Sequence, residues 1–242
     1  MPQSEPLLLA HGVGVFTSFR WPMPPAVQEQ HWQRLNAHAQ ALGLVFTDGW
    51  PTGMPNSPCR VRLTIAPVST DFSALRQAEI PARLVVSVTA LTPAPTALRL
   101  VTVPFEKPYP TLKHCSLLPA VMTLRQHPQA DEVLWVNPHG QVTEATNANF
   151  WAQVADGHWV TAHPERDGCL AGIARHHVLG LLPCQERALT EEELPGVQAA
   201  FVSNAVWGLV PVTELNGRVL PWPNRVGFEQ LQGQLSARLW AT

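Results

Sequence analysis

The 242-residue chain has little charge, almost no lysine and almost no tyrosine. Charged residues make up 14% of it against 45% hydrophobic, a balance that excludes a disordered chain and predicts a substantial packed core. The formal net charge of −2 offers no global field for nucleic acid or anionic lipid, so any bound anion must be held by local devices. No run approaches the roughly 18–20 apolar residues that a membrane helix requires, so no membrane association is expected. The opening MPQSEPLLLAHGVG has one short apolar run and no basic stretch before it, so no targeting segment is expected and the location read from it is cytoplasmic. Cys59, Cys115, Cys169 and Cys184 are widely scattered with no C-x-x-C pair; reduced thiols are expected, and neither a disulfide framework nor a metal site.

What is present reads as alternating elements. Residues 7–21 form an extended apolar segment in which Val13, Val15, Thr17 and Phe19 alternate with small residues, which predicts a strand near a sheet centre. Residues 26–42 predict a helix, with Trp32, Leu35, Ala39 and Leu42 at spacings of three and four and Gly43 as its cap. Residues 59–67, 83–91 and 97–104 predict strands. VPFEKPYP (103–110) carries three prolines, which suggests a linker over 105–110 between a domain of residues 1–104 and a second of residues 111–242. In the second half, 111–125 reads as a helix interrupted by Pro119. Hairpins follow over 132–144 and 148–161, then a helix over 172–181, strands over 199–203 and 208–214, and a closing helix over 226–240.

Five segments carry chemistry. Lys113 sits among apolar and small residues in a chain with one other lysine, Lys107. Most lysines are solvated, but one in a partly desolvated pocket serves as a Schiff-base amine. Glu144, in VTEATNANFW, ends a β-like run; it is either a plain surface carboxylate or a partner for a heteroaromatic nitrogen. CLAGIAR (169–175) places a glycine before a helix, where free N–H groups suit a phosphate, although any strand–glycine–helix corner looks alike. Arg34, in QHWQRL, is either an exposed helix arginine or a buried donor to phosphate oxygens. SNAVWGLVPV (203–212) is a strand-end turn with N–H groups open for an anion, or simply a loop.

In this order and at these separations, the five segments resemble the class IV aminotransferase family, the fold-type-IV pyridoxal 5′-phosphate (PLP) enzymes. The resemblance is carried by LKH (112–114), ADEVLWVNPHGQVTEATNANFW (130–151), LAGIAR (170–175) and FVSNAVWGLVPV (201–212). It implies a two-domain α+β fold like that of D-amino-acid aminotransferase, PLP as cofactor, a small-molecule substrate and a homodimer. By the same resemblance, Lys113 binds the cofactor covalently and shuttles protons, and Glu144 pairs with the pyridine nitrogen. Arg34 holds the phosphate, and Leu170 packs on the ring. Ile173 and Ala174 give backbone N–H groups to the phosphate. Ala205 and Val206 form a second phosphate loop, with an alanine where many members have threonine. Asn149 matches a common structural asparagine.

Within the family the pattern most resembles 4-amino-4-deoxychorismate lyase. Thr17 stands in VFT where transaminases commonly have glutamate, and Leu118 stands where branched-chain transaminases have tyrosine. The resemblance implies that Thr17 is catalytic, helping to deliver a proton as pyruvate leaves, and that the product is 4-aminobenzoate for folate synthesis. The first half departs from the family: HGVG replaces a tyrosine-containing run, and RVRLTIAPVSTDF (60–72) lacks the usual Arg-Gly motif. Arg60, Arg62 and His11 are candidates for the substrate carboxylate. A class IV aminotransferase of branched-chain or D-amino acids and a non-catalytic relative stay open as alternatives.

Overall fold

The computed structural model describes residues 12–69 and 71–240. The chain divides into two compact units, one taking the sequence up to Thr92 together with Leu112–Leu117, the other Pro93–Thr111 and Leu118–Thr242.

The first unit is built from β1 (Val15–Trp21), α1 (Pro25–Ala41), β2 (Leu44–Val45), β3 (Cys59–Pro67) and β4 (Ile80–Ala90). Its sheet runs in the order β1-β3-β4-β2. The period-two pattern decides which face is covered. Val15, Thr17 and Phe19 lie opposite Ile65, Leu63 and Val61 in an antiparallel register, and all six are buried. The helix buries Val27, His31, Leu35 and Ala39, one residue per turn along a single stripe. The Phe19 and His31 rings, 4.9 Å apart, show this stripe on the Thr17 face of the sheet. Pro25 opens α1, and Gly43 follows its end at φ +67°, where an added Cβ would lie 2.4 Å from the Ala78 carbonyl oxygen. The expectation of a central β1 is not met, since β1 stands at one end of the strand order. Its free edge is occupied by the 112–117 segment, bridged at Val15↔His114.

The second unit holds β5 (Leu98–Pro104), α2 (Leu118–Gln126), β6 (Glu132–Val136), β7 (Gln141–Ala145), β8 (Asn149–Gln153), β9 (Trp159–Thr161) and α3 (Ile173–Leu179). It continues with β10 (Cys184–Glu186), β11 (Leu189–Thr190), β12 (Ala199–Asn204), β13 (Gly208–Leu215), β14 (Arg218–Val219) and α4 (Arg225–Leu239). The strand order β10-β9-β8-β12-β13-β5-β6-β7-β11 closes on itself where β7 also pairs with β8. That closure is a single register pair, Glu144↔Asn149. All five residues of β6 are buried, which accounts for the apolar run over 133–136 that follows Glu132. The tryptophans serve packing here: Trp151 stacks on Phe201 at 5.5 Å and donates from Nε1 to Ser203 Oγ at 2.9 Å.

Two sequence expectations are corrected. The chain does not divide at residues 105–110, because β5 pairs in parallel with both β6 and β13 and so belongs to the second unit rather than to a domain of residues 1–104. The helix expected over 111–125 begins only at Leu118, since residues 112–117 are drawn out as an edge segment on β1. No helix among the described residues is long and apolar enough to cross a membrane.

Glu132, at the start of β6, is buried and accepts from Thr146 Oγ1 at 2.6 Å and from the Val133 N–H at 2.9 Å. Burial raises its carboxyl pKa above the ordinary value, with those hydrogen bonds opposing the rise. A raised folded-state pKa means that the charged form costs stability above that pKa, and that the cost vanishes below the unfolded value. Glu132→Gln is therefore expected to stabilise the protein by about 1 kcal/mol at pH 8. The gain should shrink as pH falls towards 4.5, as read by urea unfolding at several pH values.

Candidate functional site

In the first unit, the backbone of the LKH segment is held from two sides. The Phe16 N–H donates to the Lys113 carbonyl at 2.9 Å, and the Cys115 N–H to the Gly14 carbonyl at 2.9 Å. On the other side, the Lys113 N–H donates to His38 Nδ1 at 3.1 Å. The glycines of HGVG make this approach feasible: a Cβ on Gly12 would meet Ser116 Oγ at 2.9 Å, and one on Gly14 would meet Cys115 Sγ at 3.4 Å, besides the Ile65 carbonyl oxygen of β3 at 3.0 Å. The Lys113 ammonium, half-buried, lies 4.7 Å from the Phe16 ring centroid, and the Arg62 guanidinium lies 3.7 Å from the same centroid. One aromatic ring thus holds two cations by its quadrupole. Of the other carboxylate candidates, Arg60 is exposed on β3, and His11 lies outside the described residues.

Thr17 and Arg34 are brought together. Arg34 Nη2 donates to Thr17 Oγ1 at 2.9 Å, and the same hydroxyl is 2.5 Å from His31 Nδ1. Burial alone draws the guanidinium pKa down from 12.5 to about 10, so it remains a cation at neutral pH, but a poorly solvated one that gains from an anion. The surroundings of Thr17 differ from those expected of a proton donor. Its side chain has no exposed surface and faces α1, where its hydroxyl orients Arg34. His31 and His38 escaped the reading of the sequence, yet they share the spacing of three and four with Arg34 on one helical face, a signal that was there to be read.

In the second unit, the Glu144 carboxylate is buried at the sheet closure. Its Oε2 accepts from the Leu170 N–H at 3.0 Å and from Asn149 Nδ2 at 3.5 Å; its Oε1 accepts from Lys107 Nζ at 2.6 Å. Asn149 also donates to the Leu170 carbonyl at 2.8 Å. Position 172 must be glycine for a reason beyond helix entry, because a Cβ there would lie 2.2 Å from Asn149 Oδ1. Glu144, Asn149 and the 170–172 corner are therefore one locked assembly. Cys169 next to it is no nucleophile: burial first, and the Glu144 charge second, push its thiol up to about 12.

The corner continues into α3, whose cap residue Gly172 makes no side-chain capping bond. The N–H groups of Ile173 and Ala174 fall in the first turn, where no intrahelical acceptor exists. Arg175 behind them is buried, donating to the Ala162 carbonyl at 2.8 Å and to Glu186 at 2.7 Å, which fixes the helix to the sheet. The 205–206 turn offers less than expected. The Val206 N–H is consumed by Asn204 Oδ1 at 2.9 Å, as is the Trp207 N–H at 2.8 Å, which leaves the Ala205 N–H as the donor of that turn.

Comparison with known proteins gives a consistent assignment. A stretch of 116 residues, 45% of this chain, is 31% identical to D-alanine aminotransferase of Bacillus licheniformis, and spans 40% of that protein's length. An aminotransferase of Mycobacterium tuberculosis, described as hypothetical and solved in its PLP-bound form, has a TM-score of 0.76 at 18% identity, over 99% of this chain and 94% of its own. A provisionally named 4-amino-4-deoxychorismate lyase from Legionella pneumophila has a TM-score of 0.79 at 21% identity, over 98% and 96%. At such identities the two solved structures establish a shared fold. The model of the amino-transferase class IV family matches residues 14–215, and this chain belongs to that family.

Proposed function

We propose that this protein uses PLP to act on the amino group of a small substrate, and that its reaction is the conversion of 4-amino-4-deoxychorismate to 4-aminobenzoate and pyruvate. One observation supports the cofactor above the others: a buried carboxylate, Glu144, aimed by the Leu170 N–H and the Asn149 amide. A carboxylate fixed in this way suits the protonated nitrogen of a pyridine ring. The rest of the residue set fits the same group. Arg34, desolvated and still cationic, is suited to phosphate oxygens, and so, in the second unit, are the N–H groups of Ile173, Ala174 and Ala205. Leu170 would pack on the ring, and Lys113 would carry the cofactor through Nζ.

The cofactor supplies an electron sink for the substrate carbon that loses its proton. The chain's residues supply the rest. Lys113 Nζ would take the proton from the ring carbon that bears the amine as general base and give it up to the departing enolpyruvate, which becomes pyruvate as the ring aromatises. Arg34 would hold the cofactor by its phosphate end. Thr17 acts through Arg34, as a positioning residue. The lyase over the transaminases is supported by the sequence pattern, with threonine at position 17 where transaminases commonly have glutamate, and by Leu118, whose largely exposed aliphatic side chain offers no hydroxyl where branched-chain transaminases have tyrosine. The alternative, a D-amino-acid aminotransferase, is favoured by the D-alanine aminotransferase match. A homodimer is part of the proposal, on family grounds.

Purified protein should show a visible absorbance band that borohydride abolishes, with the reduced cofactor mapped to Lys113 by mass spectrometry; Lys113→Ala should lose both band and activity. A Lys113→Ala protein retaining either would remove that lysine from the scheme. Incubated with 4-amino-4-deoxychorismate and no keto acid, the enzyme should release 4-aminobenzoate and pyruvate in equal amounts over many turnovers. If D-alanine alone instead converts the bound cofactor to its pyridoxamine form, and turnover requires a keto acid, the transaminase reading replaces the lyase. Thr17→Val should weaken PLP binding about tenfold, the loss of one hydrogen bond to a charged group, while kcat at saturating cofactor stays within about threefold. A collapse of kcat at saturating PLP would return Thr17 to direct proton delivery.

A further inference from the structure

Lys107 and Lys113 are the two lysines of the chain, and the proposed function uses only Lys113. Lys107 follows β5 in the proline-rich run, and its Nζ lies 2.6 Å from Glu144 Oε1 and 3.4 Å from the Pro110 carbonyl. The two side chains of the pair are 21% and 5% exposed, so this is an enclosed ion pair rather than a surface one. A carboxylate so buried needs a compensating charge. Leu170 and Asn149 give Oε2 neutral donors, whereas Lys107 brings Oε1 a full positive charge.

This arrangement bears on what Glu144 can bind next. Each carboxylate oxygen has about two acceptor positions. Both positions on Oε2 are served, and Oε1 already holds an ammonium. A protonated ring nitrogen must therefore either share Oε1 with a like charge or displace it. Both routes cost binding free energy, because an interaction satisfied in the free protein is weakened in the complex.

We propose that Lys107 is a resident counter-ion of Glu144, which stabilises the cofactor-free chain and opposes the hold of the cofactor's ring nitrogen on that carboxylate. The proposal rests on the reading that Glu144 faces that nitrogen. It gives the second lysine a function opposite in sign to that of the first: Lys113 attaches the cofactor, and Lys107 limits how tightly it is kept.

The test is a PLP titration of cofactor-stripped protein, followed by absorbance, with melting temperatures measured with and without PLP. Lys107→Met should lower the melting temperature of the cofactor-free form and lower the Kd for PLP about tenfold, equivalent to the removal of one competing charge. Lys107→Arg, which keeps the cation, should leave Kd within about twofold of wild type. A residue that merely supports the fold would instead weaken PLP binding when removed. If Lys107→Met does not fold, Lys107→Gln, a donor without charge, carries the same expected fall in Kd. An unchanged or higher Kd in the neutral variant, with wild type still binding PLP at Lys113, overturns this proposal alone. Wild-type protein that binds no PLP overturns the proposed function and this inference together, and borohydride mapping to Lys107 would also overturn the counter-ion role.

Discussion

The second unit depends on a carboxylate that closes its sheet. The β7–β8 pairing that joins the strand path into a ring rests on one register pair, Glu144↔Asn149, and both side chains are then turned towards the 170–172 corner. A buried carboxylate without donors would be expelled or protonated. Here it is held by a backbone N–H, an amide and an ammonium, and those three donors come from three separate stretches of chain. The same interactions that satisfy the charge thus fix the corner from which α3 departs. Glycine at 172 is the steric condition for this, since any side chain would strike Asn149.

The first unit solves a different problem, how to place a flexible amine without a rigid side chain. Lysine has four rotatable carbons, so its direction must be set by the backbone that bears it and by what the ammonium rests on. The 112–117 segment is stitched to the edge of β1, with His38 of α1 holding the Lys113 N–H from the opposite side. The Phe16 ring then gives the ammonium a surface. Thr17, the next residue along β1, points to the other face and fixes Arg34. Strand alternation thereby assigns neighbouring residues of one strand to two tasks, one towards an amine and one towards a guanidinium.

Much of this was legible in the sequence because it is local. The alternation in CRVRLTIAP gave β3 its bounds, residues 59–67, and the turn residues around Asn137 and Asp156 marked the two hairpins. Lys113, Arg34, Glu144 and the glycine-led helix were singled out through their motifs and spacing, and their role at a cofactor remains part of the proposal. The short strands β2, β10, β11 and β14, of two or three residues each, carry too few positions for any periodicity to show. Residues 111–117 read as helix because their composition allows it, and pairing with the β1 edge overrode that preference.

The sequence by itself determined the family and most of the alternating elements, and it singled out residues for the candidate site, since these follow from periodicity and from motifs of a few residues. Tertiary structure decided which hydrogen bonds each of those residues actually makes. It spent the Val206 N–H on Asn204, enclosed the Thr17 hydroxyl against α1, and set Lys107 on Glu144 across 37 positions of chain. The first of these is a local turn bond two positions apart, but the other two depend on long-range packing of helix and sheet and on burial, and neither is encoded in the neighbourhood of any one residue.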